Sequence, residues 1–284
     1  MGGYARPELI ATPEWLAENL GRPGFGVIDL RWRPDGSGRR LYAGGHIPGA
    51  TYIDWRADLT EQEDESDVLL MAGPQKVTDT LARSGIGNGM VAALYDDTGA
   101  SYATRAWWTL RVYGLDSARI LVGGLDGWQA LGRPTSTAAE LRPPSTFTPR
   151  LQARLRLAAS DVKQLIGTDD VQLLDARAPS EYAGHAGAAR RLGHIPGALN
   201  VPASATTEPR TGAFRTSDEL RALLRRAGAN PRRRLICYDA GGLGACKLAF
   251  ALTLIGCDDV GVYDGGWVEW GDRLDLPVEA ATRD

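Results

Sequence analysis

Leu235-Ile236-Cys237-Tyr238-Asp239-Ala240-Gly241-Gly242-Leu243-Gly244-Ala245-Cys246 reads as a buried strand, a glycine-rich loop and a helix start. Leu235 to Tyr238 is a short apolar run of the kind that fills a parallel strand covered on both faces. Gly241, Gly242 and Gly244 allow several backbone N–H groups to converge on one concavity. Beyond them Ala245, Leu248, Ala249, Leu252 and Ile255 recur at helical spacing, so a helix N-terminus adds partial positive charge there. The loop is an anion cradle, and Asp239 stands at its mouth.

Working outward, a chain of 284 residues is long enough for two domains. With 43% hydrophobic and 24% charged residues it is an ordinary globular composition. A net charge of −3 gives no general attraction for nucleic acid or an anionic membrane. No apolar run approaches the ~20 residues of a membrane span. Three cysteines, Cys237, Cys246 and Cys257, crowd the C-terminal part and make neither a disulfide framework nor a zinc site. Met1 to Pro13 lacks a signal-peptide core, so a cytoplasmic location is expected. No metal or cofactor is expected, and the partner is a small-molecule substrate; nothing marks an oligomeric interface.

The chain repeats itself. Gly45-His46-Ile47-Pro48-Gly49-Ala50 returns residue for residue as Gly193-His194-Ile195-Pro196-Gly197-Ala198. Asp29, His46, Asp96 and Trp128 are matched by Asp175, His194, Asp239 and Trp270, at separations of 142 to 148 residues. Internal duplication explains this register. Arg133 to Arg150, rich in Pro, Ser and Thr, reads as an extended linker. The expected organisation is an N-terminal unit over 8–135, a linker over 136–156 and a C-terminal unit over 157–284. Strands alternate with helices, which predicts an α/β fold with a parallel sheet covered by helices on both faces in each half. Ligands of such sheets sit beyond the strands' carboxyl ends, where Asp239 falls.

Asp175-Ala176-Arg177, both Gly-His-Ile-Pro-Gly-Ala strings, the loop 239–245 and Asp264-Gly265-Gly266-Trp267 with Glu269-Trp270 resemble the tandem rhodanese family. These are the thiosulfate and 3-mercaptopyruvate sulfurtransferases. The resemblance implies two similar domains, an inactive-type N-terminal half and a C-terminal half carrying the active loop. It also implies a cysteine at the first loop position, which forms a persulfide. Here that position holds Asp239. Ala240 and Gly241 stand where members carry a basic residue or serine, and Glu181 where many carry a substrate arginine.

Asp239 is therefore the candidate catalytic residue, as general base or oxygen nucleophile, within a loop of Ala240, Gly241, Gly242, Leu243 and Gly244. A carboxylate in the cradle repels anions, so the reacting part of the substrate is expected to be neutral or cationic. Several N–H bonds would also depress its pKa and weaken it as a base. Arg177, Arg190, Arg191 and Trp267 are candidate substrate contacts; each also has a structural reading, as strand-end ion pair, solvated loop or packing. Cys246, beside the helix N-terminus and Lys247, and Cys237, two residues before Asp239, are minority candidates for a sulfurtransferase nucleophile. A third alternative is an inactive binding or regulatory protein in which Asp239 caps its loop, as Asp96 is expected to cap the first.

Overall fold

The computed structural model describes residues 3–62, 68–140 and 142–280. Residues 63–67, 141 and 281–284, which belong to the expected units and linker, lie outside the described residues. In chain order the first half supplies β1 (Ile10–Ala11), β2 (Phe25–Asp29), β3 (Ala50–Tyr52), β4 (Thr60–Gln62), β5 (Leu69–Met71), β6 (Val91–Tyr95) and β7 (Ala118–Leu121). The second supplies β8 (Arg156–Leu157), β9 (Val171–Asp175), β10 (Leu199–Asn200), β11 (Arg234–Tyr238) and β12 (Val260–Tyr263). Apart from the antiparallel β4–β5 hairpin, the pairing between these strands is parallel. The sheet orders are β1-β7-β6-β2-β3 and β8-β12-β11-β9-β10. They are the same topology written twice, as duplication requires.

Register fixes the two loop mouths. Asp29 pairs with Tyr95 and Asp175 with Tyr238, so Asp96 and Asp239 are each the first residue past equivalent central strands. A helix follows each loop, Ser101–Val112 in the first half and Leu243–Leu254 in the second. These helices pack on each other across the junction, with Trp107 edge-on to Phe250 at 4.9 Å between ring centres. One hydrophobic cluster runs through both halves, from Ile28 and Leu94 to Leu235 and Val262. Smaller clusters on the outer faces hold Trp128 in the first half and Trp270 in the second.

Two local expectations change. Ala245 to Leu254 is buried at every residue, although the apolar spacing suggested a single buried face. The first half covers the side that would otherwise face water, and an all-round apolar helix is the sign of such burial. Among its described residues the Arg133–Arg150 stretch has neither helix nor strand, but it does not hang free as a spacer. Ser136 bridges His46, Arg142 donates to the Phe25 carbonyl at 2.6 Å, and Phe147 is buried.

Candidate functional site

Each repeated motif proves to be a device for holding a strand end. Arg177 forks onto Asp175, with Nη2 to Oδ2 at 2.5 Å, and donates to the Gly193 carbonyl at 2.7 Å. Arg31 does the same with Asp29 and the Gly45 carbonyl. His194 places Nδ1 2.8 Å from the Tyr182 carbonyl and stacks on that ring; His46 repeats this on Tyr42. The Gly-Gly-Trp segment closes the loop. Trp267 N–H donates to the Asp239 carbonyl at 2.7 Å and Val268 N–H to the Ala240 carbonyl at 3.1 Å. Gly266, at φ +61°, is needed because a Cβ there would lie 2.6 Å from the Asp239 carbonyl oxygen.

Asp239 sits within this frame, buried to 9% exposure. Gly242 N–H donates to one carboxylate oxygen and Gly244 N–H to the other, the latter at 2.7 Å. Gly242 adopts φ +95° and caps the following helix. Among the described residues, the N–H groups of Ala240 and Gly241 make no hydrogen bond. Asp96 is held differently. It accepts N–H bonds from Thr98, Ala100, Tyr102 and Ala103, all between 2.7 and 2.9 Å. Four donors complete the first cap, whereas two leave lone pairs of Asp239 open.

The expected depression of the Asp239 pKa is corrected. Burial raises it above the usual carboxylate value, and the two loop N–H groups and the Arg105 charge only partly oppose this. The expected activation of Cys246 is corrected as well. Its thiol is fully buried and pushed up to about 12 by that burial, against the pull of Arg105. Lys247 points elsewhere, towards the Gly99 turn of the first half. Cys237 is equally buried, and its pKa is pushed well up for the same reason.

The arginine candidates are not gathered at the loop mouth. Arg191 spends its guanidinium on the carbonyls of Trp270, Gly271, Arg273 and Leu276, so it ties the C-terminal segment instead of offering a free charge. Arg190 is exposed, and its backbone N–H donates to Asp272 at 2.6 Å. Arg177 is consumed by Asp175 and Gly193 except for Nη1, which has no hydrogen bond among the described residues. Its guanidinium lies 4.4 Å from the centre of the Trp267 ring. Trp267 is buried to 2% exposure and donates to the Arg191 carbonyl at 3.1 Å, which makes it a wall behind the loop.

Arg105 is the residue that sequence reading missed. It comes from the first half, pairs with Asp264 at 2.7 Å, and lies against Gly242. The available signal was a lone arginine in Ala103-Thr104-Arg105-Ala106-Trp107-Trp108, within a helix otherwise built for burial. No helix among the described residues is long and apolar enough to cross a membrane.

Comparison with known proteins agrees with this architecture. The Rhodanese-like domain family matches residues 12–131 and 158–273. The 3-mercaptopyruvate sulfurtransferase of Escherichia coli (strain K12) is 33% identical over 275 residues, covering 94% of this chain and 96% of the relative. The thiosulfate sulfurtransferase of Corynebacterium glutamicum is 32% identical over 288 residues, covering 97% of this chain and 92% of the relative. The crystal structure of the 3-mercaptopyruvate sulfurtransferase SseA from Escherichia coli superposes with a TM-score of 0.82 at 30% identity, covering 91% of this chain and 98% of that one. With two domain matches and relatives aligned along nearly its whole length, this chain belongs to the rhodanese family, whose sulfurtransferase members it resembles from end to end.

Proposed function

We propose that this protein is an enzyme acting on a small molecule at the loop 239–245, with Asp239 in the place of the family's thiol as a general base. The observation that carries the reading is the contrast between the two loops. Burial raises the pKa of both carboxyl groups, but Asp96 is saturated by four N–H groups, whereas Asp239 takes two and keeps lone pairs free to accept a proton from a substrate. A carboxylate oxygen cannot hold a sulfane sulfur as a persulfide. The reacting part of the substrate is neutral or cationic, because an anion would meet Asp239 at close range. Arg177, with its unpartnered Nη1, and the exposed Arg190 are the remaining candidates for holding an anionic tail.

The buried, high-pKa thiols of Cys246 and Cys237 disfavour sulfur transfer through either of them. Incubation with thiosulfate or 3-mercaptopyruvate and cyanide is expected to yield no thiocyanate. Thiocyanate formation abolished by Cys246→Ser or Cys237→Ser would overturn the Asp239 reading. So would a clear fall in melting temperature for Asp239→Asn at neutral pH, because a carboxylate kept for capping is destabilised by losing its charge and one held for chemistry is not.

A second reading, binding without turnover, is favoured by a cavity of about 560 Å³ over the first-half loop. Asp96, Gly99, Val122 and Leu131 line it from one side, and Arg210 and Gly212 of the second half from the other. Under this reading a bound small molecule protects the amides of residues 97–100 from hydrogen exchange and leaves those of 240–244 unchanged.

A further inference from the structure

Arg105 belongs to the middle of a first-half helix, yet its ion pair lies with the second half. The side chain is fully buried. Nη2 pairs with Asp264 at 2.7 Å, and the same carboxylate is held by Arg156 Nε at 2.9 Å and by Met71 N–H at 2.8 Å. The guanidinium stands 4.9 Å from the centre of the Trp108 ring, and Nη1 is 3.9 Å from Cys246 Sγ. That same nitrogen fills the space over Gly242, where an added Cβ would lie 2.4 Å from it. Nε has no hydrogen bond among the described residues. As an interface filler this is a poor arrangement, since a buried ion pair with an unsatisfied donor is usually outdone by apolar packing. Its location is what distinguishes it: the guanidinium backs the turn whose N–H binds the carboxylate.

The first half carries the incomplete counterpart. Lys247, from the second half's helix, brings Nζ within 3.5 Å of the Cβ position of Gly99. Val122 precedes Gly123-Gly124 where Asp264 precedes Gly265-Gly266, so that ammonium has no counterpart of Asp264 and feels only the charge of the loop's own Asp96. Lys247 makes no ion pair or side-chain hydrogen bond among the described residues, and burial lowers its pKa. Each loop is backed by a cation from the opposite half, but only the Asp239 side has the cation fixed in place.

We infer that Arg105 is the positioning residue of the Asp239 loop: held by Asp264, it fixes the left-handed Gly242 turn from across the domain junction and thereby sets where the Asp239 carboxylate sits. The inference deepens the proposal for Asp239 and rests on it for its chemical consequence. The positive charge also works against the burial that favours the protonated acid. Asp175, at the end of β9, works in the opposite sense, and the neighbouring thiols of Cys237 and Cys246 stay neutral.

The test compares the wild type with Arg105→Met/Asp264→Asn, which removes both charges of the pair, and with Arg105→Lys, which keeps the charge but loses the planar fork. Amide hydrogen exchange is read at Gly242 and Gly244, with Thr98 and Ala100 of the first loop as controls. The carboxyl carbon of Asp239, assigned by its loss in Asp239→Asn, is titrated by NMR. The double variant is expected to speed exchange at Gly242 and Gly244 about tenfold or more while the controls hold. It is also expected to raise the Asp239 pKa by about one unit, with Arg105→Lys partly restoring it. Unchanged exchange at both glycines, or equal acceleration in both loops, overturns the inference. If the double variant does not fold, Arg105→Lys decides by the same amides: faster exchange confined to the second loop supports the inference and no change sinks it. None of these readouts uses turnover, so an inactive Asp239 would defeat the proposed chemistry and leave the Arg105 result standing.

Discussion

Asp239 and Asp96 are the same side chain at the same strand end, and the difference between them is what holds each carboxylate. Burial raises the folded-state pKa of Asp239 above the ordinary value of 3.8. The folded protein therefore binds that proton more tightly than the unfolded chain does. The resulting stability is fully present below the unfolded pKa and is lost as pH rises through the folded one. Asp239→Asn removes this dependence. In paired thermal melts the variant should gain on the wild type as pH rises from about 4 towards neutrality. A difference independent of pH would show that Asp239 titrates alike in both states. Asp239→Cys places a thiol in a loop that has the Gly242 and Gly244 donors, so some persulfide is expected. Turnover should stay well below that of the sulfurtransferases, because Ala240 and Gly241 offer neither charge nor hydroxyl and Glu181 is acidic. Thiocyanate release at rates typical of the family would show that these positions matter little.

At the scale of the element, the loop and its helix work as one unit because Gly242 serves both. Its φ of +95° starts the helix, its N–H binds Asp239, and its missing side chain admits Arg105. Gly242→Ala should cost about 1–2 kcal/mol for the left-handed backbone, and the clash with Arg105 adds to that. Gly228 provides the comparison. It has φ +76° at the end of helix Ser217–Ala227, with nothing within 4 Å of an added Cβ. Denaturant melts should show Gly242→Ala to be clearly worse than Gly228→Ala, and equal losses would mean that Arg105 moves aside freely. The loop itself was legible in the sequence, since strand, glycines and helix follow one another locally. The packing of its helix was not. The spacing of Ala245, Leu248, Ala249 and Leu252 described one face, and another face is covered by the matching first-half helix, Ser101–Val112, 142 residues earlier.

In the whole molecule, two copies of one topology share a core, with Trp107 on Phe250 at their junction. A continuous core predicts one cooperative calorimetric transition for the wild type. Trp107→Ala should lower stability by about 3–5 kcal/mol and begin to separate the melting of the two halves. A single transition at unchanged temperature would show that the junction carries little of the stability. The sequence by itself determined the duplication, the parallel α/β architecture, the family and the place of both aspartates past equivalent strand ends. All of these are written in neighbouring residues or in a repeat register, as periodicity, turn chemistry and matched strings. Only the tertiary structure decided that Arg191 is consumed by four carbonyls and that the Cys246 thiol is pushed up to about 12. It alone brought Arg105 to Gly242 and left Asp239 with two donors where Asp96 has four. The physical reason is that burial and pairing between the halves depend on which surfaces meet, and no local pattern records the distant group that will supply a charge or exclude the water.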